Sequence, residues 1–134
     1  MRFIDRGVPA ALLMLALAAV APASGQSVTD GSESAVGAEN AAAVFALIGK
    51  GMKDPASALY ARLRRGRAGA LCGEVDATNR MGTHTGPRPF VAEPAGGFGG
   101  IVPDAPELRN PSSMAQYQVM QRTLDLYRAN CAAE

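Results

Sequence analysis

The sequence contains no tryptophan, one histidine and two cysteines in 134 residues, and aromatic residues make up only 5% of it. No C-x-x-C pair is present, and neither Cys72 nor Cys131 has a histidine beside it. That spacing argues against the common zinc and dithiol patterns, so no metal or other cofactor is implied. A charge excess is missing as well, because 13 Lys and Arg residues face 12 Asp and Glu residues. A general nucleic-acid binder carries a basic excess, and this balance excludes that class. With so few aromatics, the core has to be assembled mainly from Leu, Val, Ile, Met and Ala.

One uncharged run stands out. Behind a positive start, where Arg2 and Arg6 outweigh Asp5, the 16 residues from Val8 to Ala23 are all Ala, Leu, Val, Met or Pro. A bilayer-spanning helix needs about 20 apolar residues, and this run is shorter and carries Pro9 and Pro22 near its ends. Ala23 and Gly25 supply the small side chains that a signal peptidase accepts. Residues 1–25 are therefore expected to be a cleaved signal peptide, leaving Gln26 as the new terminus. The expected product has no stable membrane span and a periplasmic or secreted location. Loss of Arg2, Arg6 and Asp5 leaves it neutral, with eleven charges of each sign.

Cys72 and Cys131 both survive that cleavage. In an exported chain an even cysteine count predicts a disulfide. Closing so long a loop stabilises a small domain by about 4 kcal/mol before native-state strain is subtracted.

Residues 26–37, QSVTDGSESAVG, offer little apolar surface and read as a disordered leader. A single domain is expected over residues 38–134. Ala41, Val44, Phe45 and Ile48 share one helical face, predicting a helix from Ala38 to Gly49. Asp54 and Pro55 are a helix-start pair, so a short helix to about Ala61 is expected, followed by a strand through Leu63; Arg62 to Arg67 suit either a longer helix or a strand entering a hairpin at Gly66 and Gly69. Residues 70–79 alternate as a strand, with Leu71, Gly73 and Val75 on one face and Cys72, Glu74 and Asp76 on the other. A disulfide on the acidic face requires Glu74 and Asp76 to lie toward its solvated end, a conflict that a bulge at Gly73 would resolve. Pro89-Phe90-Val91 reads as the returning strand. Residues 93–111 read as a long Gly/Pro-rich connection pinned by Phe98, Ile101 and Val102, leading to a last helix started by Asn110-Pro111 or by Ser113 with Gln116. Tyr117, Met120, Leu124, Tyr127 and Cys131 form its apolar stripe. The fold class expected is α+β: a small antiparallel sheet or hairpins with N-terminal and C-terminal helices packed on one face, closed by one disulfide.

Three segments together resemble a known group. D-P-A-S-A (Asp54 to Ala58), C-G-E-V-D-A-T-N (Cys72 to Asn79) and G-T-H-T-G-P-R-P-F (Gly82 to Phe90) are similar to D-P-x-S-A-x-F, C-G-x-V-N-A-K-N and G-x-Y-x-G-F-x-x-F in small proteobacterial envelope proteins without an assigned activity. The likeness spans residues 53–91, about a third of the chain. Tyr60, Asp76, Thr78 and His84 depart from it, standing where the pattern has Phe, Asn, Lys and Tyr. The resemblance implies an exported small domain and transfers no site residues.

The chemistry-bearing residues are few. Arg62, Arg64, Arg65 and Arg67 are dense enough to hold phosphate or carboxylate groups; their plainer reading is a solvated face balanced by Glu74, Asp76 and Glu93. His84, as a general base, would need Asp76 or Glu74 to orient it; its plainer reading is an exposed turn residue. G-G-F-G-G continues into I-V-P-D-A-P and not into a helix, so it is no phosphate loop. The leading expectation is a non-enzymatic binding domain whose partner is an envelope protein or anionic surface, engaged through the four arginines and the 79–90 turn region with His84. The alternatives are a small hydrolase or lyase using His84, and a structural envelope accessory whose interface is the outer side of the last helix around Val119 and Leu126.

Overall fold

The computed structural model describes residues 26–133; the expected signal peptide lies outside them. The element order is β1 (Ser27–Val28), α1 (Glu33–Val36), α2 (Ala38–Gly49), β2 (Leu59–Arg65), β3 (Leu71–Thr78), β4 (His84–Glu93), β5 (Phe98–Ile101), α3 (Ala105–Arg109) and α4 (Met114–Asn130). The strands form one five-stranded sheet in sequence order. β2 to β5 make an antiparallel meander, and β1 adds to β2 in parallel. The chain is thus α+β with a mixed sheet, and no described helix is long and apolar enough to cross a membrane.

The helices do not share one face of the sheet, as expected from sequence, but cover both. α1 and α2 lay Val36, Ala41, Val44 and Ile48 against Tyr60, Leu63, Leu71, Val75, Phe90 and Ala92. The end of α4 covers the opposite face, where Cys131 meets Ala70, Cys72 and Val91. The cause is visible in the strands. Leu71-Cys72 and Phe90-Val91-Ala92 are buried at consecutive positions, and consecutive strand residues point to opposite faces, so both faces must be covered.

Residues 26–37 are likewise not a disordered leader. Val28 pairs with Tyr60, and Val36 is only 3% exposed in the main core. Those two valines supply apolar burial that the polar composition conceals. The segment also uses its polar residues: Asp30 accepts the Arg62 N–H at 2.9 Å and Ser32 Oγ accepts the Leu63 N–H at 2.9 Å. The Ser32 side chain, helped by the Arg62 and Ser32 backbone N–H groups, holds the Asp30 carboxyl below its ordinary range.

Other local expectations shift too. Asp54-Pro55 starts a single 3-10 turn, Pro55–Ser57, and the chain is already extended at Leu59. The ladder irregularities lie between Ala61 and Arg64, with Arg62 at φ 54°, and between Asp76 and Thr78, rather than at Gly73. Gly73 instead makes room, since a Cβ there would lie 2.7 Å from the Phe90 ring. Within the long connection, Phe98–Ile101 is a strand, and Asp104 and Glu107 cap the short α3 reciprocally.

Cys72 and Cys131 form the disulfide, with Cα atoms 5.7 Å apart. No bulge is required for it. α4 covers the Cys72 end of the strand face and leaves Glu74 and Asp76 on the uncovered end, where both stay partly exposed.

Candidate functional site

The four arginines are placed on or just beyond β2 and are not gathered into an anion cradle. Arg64 donates to the Cys131 carbonyl at 2.5 Å, and Arg67 donates to the carbonyls of Ala132 at 2.5 Å and Arg128 at 2.8 Å. These are carbonyls at and beyond the end of α4, which lack helical N–H partners and carry the negative end of its dipole. Arg65 does the same for α1 through the Val36 carbonyl at 3.3 Å. Arg62 projects into solvent and reaches Glu74 at 3.5 Å. Arg62 and Arg64 do line one cavity of about 200 Å³ together, but Glu74 lines it as well, so a carboxylate stands where an anion would enter.

His84 begins β4 on the hairpin that continues past the body of the sheet. Its Nδ1 lies 3.2 Å from Asp76 Oδ1, and the same oxygen accepts the Gly86 N–H at 3.2 Å. Glu74 is engaged by Arg62 instead. The imidazole and one carboxylate are therefore brought together, as a general base requires. The neighbouring cavity is lined by Thr29, Leu59, Ala61, Glu74, Asp76 and Pro87 and not by His84. A pair that bridges two strands and also binds a backbone N–H staples the hairpin. The turn beyond it is organised by Asn79, whose Oδ1 accepts from Met81 and Thr83, and it leaves Met81 89% exposed.

A different place holds a recessed surface. β5 is the last strand of the sheet, and Gly99 and Gly100 let helices approach it from both sides. A Cβ on Gly99 would lie 2.9 Å from Leu47 of α2, and one on Gly100 would lie 2.3 Å from Thr123 of α4. The edge of β5 therefore opens into a cleft of about 260 Å³, walled by Ile48, Pro103, Glu107, Val119 and Met120. Val119 and Tyr117 on the same helix are 49% and 39% exposed. Arg88 and Glu107, both lining the cleft, pair at 2.9 Å, while Arg122 approaches Glu93 at 3.8 Å and covers the Phe98 ring at 4.2 Å.

Sequence reasoning missed this cleft because glycines hide β5. Val119 was legible as an outward position of the last helix. Its companion Leu126 instead packs against the cluster around the disulfide. No protein-family model matches the chain, and no curated protein or solved structure matches it.

Proposed function

We propose that this chain is an exported interaction domain of the bacterial envelope, periplasmic or secreted, that acts by binding a protein partner at the α2–β5–α4 cleft. The observation that carries this reading is the half-exposed Val119 on the α4 wall of a cleft whose floor is the outer edge of β5, where no strand pairs among the described residues. Apolar groups left uncovered beside a concave surface are a mark of interaction sites. The disulfide supports an oxidising compartment, and the resemblance to small envelope proteins points the same way. The arginine run supports an anionic partner less well, because Arg64, Arg65 and Arg67 are already hydrogen-bonded to carbonyls of their own chain.

The test is capture from envelope extract by residues 26–134, with two variants alongside. Val119→Asp is expected to release the captured partner and Arg62→Ser to retain it. The opposite pattern would return the site to the arginine side of the sheet, and equal capture by an unrelated disulfide protein would remove the binding reading.

A further inference from the structure

The chain treats the two edges of its sheet differently. At the β2 edge, β1 covers part of the strand, and Asp30 and Ser32 accept the N–H groups of Arg62 and Leu63. At the β5 edge no strand pairs among the described residues. Phe98 pairs with Glu93 and Gly100 with Val91, and the Val102 N–H donates to the Pro89 carbonyl at 2.9 Å. Antiparallel alternation then turns the N–H and C=O groups of Phe98, Gly100 and Val102 toward β4 and those of Gly99 and Ile101 outward. Exposed edges are ordinarily blunted by charge, proline or a bulge. β5, with the sequence FGGI, has none of these; it is short, and it is recessed.

We propose that the β5 edge is a strand-acceptor site: an extended, uncharged segment of a partner protein pairs with Gly99 and Ile101 as a sixth strand. This rests on the binding reading and names its partner class. The recess argues against a second copy of this chain, because the β5 edge is flanked by Ile48 of α2 and by Val119 and Met120 of α4, and in a pair of copies these helices would have to pass one another for the edges to meet. A single extended chain has no such walls. The volume, about 260 Å³, lies at or below the low end of cavities that enclose small molecules, roughly 300–1,000 Å³, and suits alternate side chains of a passing strand. Charge selects the segment's character. Arg88, which lines the cleft, is paired with Glu107, and Arg122 outside it with Glu93; the rest of the lining is uncharged, with Ile48, Ile101, Val119 and Met120 beside Gln116 and Thr123. Main-chain hydrogen bonds would supply affinity and these walls selectivity.

The probe is the capped pentapeptide acetyl-Ser-Val-Thr-Val-Ser-amide, compared with the same peptide N-methylated on its three central residues. Methylation keeps the side chains and removes the pairing N–H groups. Amide shifts and hydrogen exchange of residues 26–134 are followed by NMR. The expected result is slowed exchange at Gly99 and Ile101, binding weakened about tenfold or more by methylation, and severalfold weakening by Val119→Asp. Equal binding of both peptides, shifts confined to other residues, or no shift at millimolar peptide would overturn the inference. So would Gly99 and Ile101 already protected in a free protein that sediments as two chains. A partner released by Val119→Asp while Gly99 and Ile101 still exchange freely in its complex would leave the binding reading standing and remove the strand pairing alone.

Discussion

At the scale of single residues, one buried side-chain polar atom among the described residues stands without a partner. Tyr60 is fully buried between the rings of Phe45 and Phe90, at centroid distances of 4.7 and 5.9 Å, and its hydroxyl has no hydrogen-bond partner among the described residues. A buried hydroxyl without a partner carries a desolvation penalty of about 1–3 kcal/mol. Tyr60→Phe removes that hydroxyl and keeps the ring, so it is expected to raise stability by about 1 kcal/mol, read from the urea midpoint at neutral pH. Burial pushes the Tyr60 phenol up to about 12, above the value near 10 of an unfolded tyrosine. The unfolded chain therefore releases this proton first. The stability linked to the neutral phenol is fully present below about pH 10 and is lost as the pH rises from there toward about 12. Wild type should lose about 2 kcal/mol more than Tyr60→Phe across that window. Parallel declines in the two proteins would show that Tyr60 has access to water. The residues singled out by their chemistry fared differently. The arginines and His84 are visible in any sequence, but their roles depend on where carbonyls and Asp76 come to lie, and short-range spacing does not encode that.

At the scale of elements, legibility follows how local the determining contacts are. α2 matches its predicted bounds because Ala41, Val44 and Ile48 mark one face within a single helix. β5 is the reverse case. Glycine weakens strands, so two glycines in F-G-G-I read as loop, yet they are what lets Leu47 and Thr123 close on the strand from opposite sides. In α4 the apolar stripe places Met120 and Cys131 correctly, but Tyr117 stays 39% exposed, and the buried turns also use Thr123 and Asn130, which counting apolar residues passes over. Asn130 shows what such a residue does. Its Oδ1 accepts the N–H groups of Ala68 at 2.8 Å and Ala70 at 3.1 Å, and its Nδ2 donates to the Leu126 carbonyl at 3.0 Å. One side chain thus fastens the β2–β3 turn to the end of α4. Asn130→Ala leaves both turn N–H groups without that acceptor, one of them buried, and is expected to cost about 2–3 kcal/mol. The check is chemical denaturation together with amide exchange at Ala68 and Ala70. Unchanged exchange at those two amides would mean that the turn holds itself.

At the scale of the whole molecule, the two faces of the sheet are secured by different means. The face under α1 and α2 is a continuous apolar core, with eleven buried residues in one cluster. The face under α4 has four, two of them the bridged cysteines. Covalent and polar links supplement that thin packing: the Cys72–Cys131 bridge, the three bonds of Asn130, and the guanidiniums of Arg64 and Arg67 all converge on the end of α4. Cross-linking positions 59 residues apart restricts the unfolded chain by about 4 kcal/mol in the loop-entropy account. Cys72→Ala with Cys131→Ala is therefore expected to lower stability by that order. Its far-UV circular dichroism should stay unchanged without denaturant, because the polar bonds still hold α4 in place. Adding Asn130→Ala tests whether the links act together. Either restraint alone keeps the end of α4 against the β2–β3 turn, so losing both should cost more than the sum of the separate losses, by about 1 kcal/mol or more in a mutant cycle. Strict additivity would mean that the bridge works only on the unfolded chain and contributes nothing to how α4 is seated.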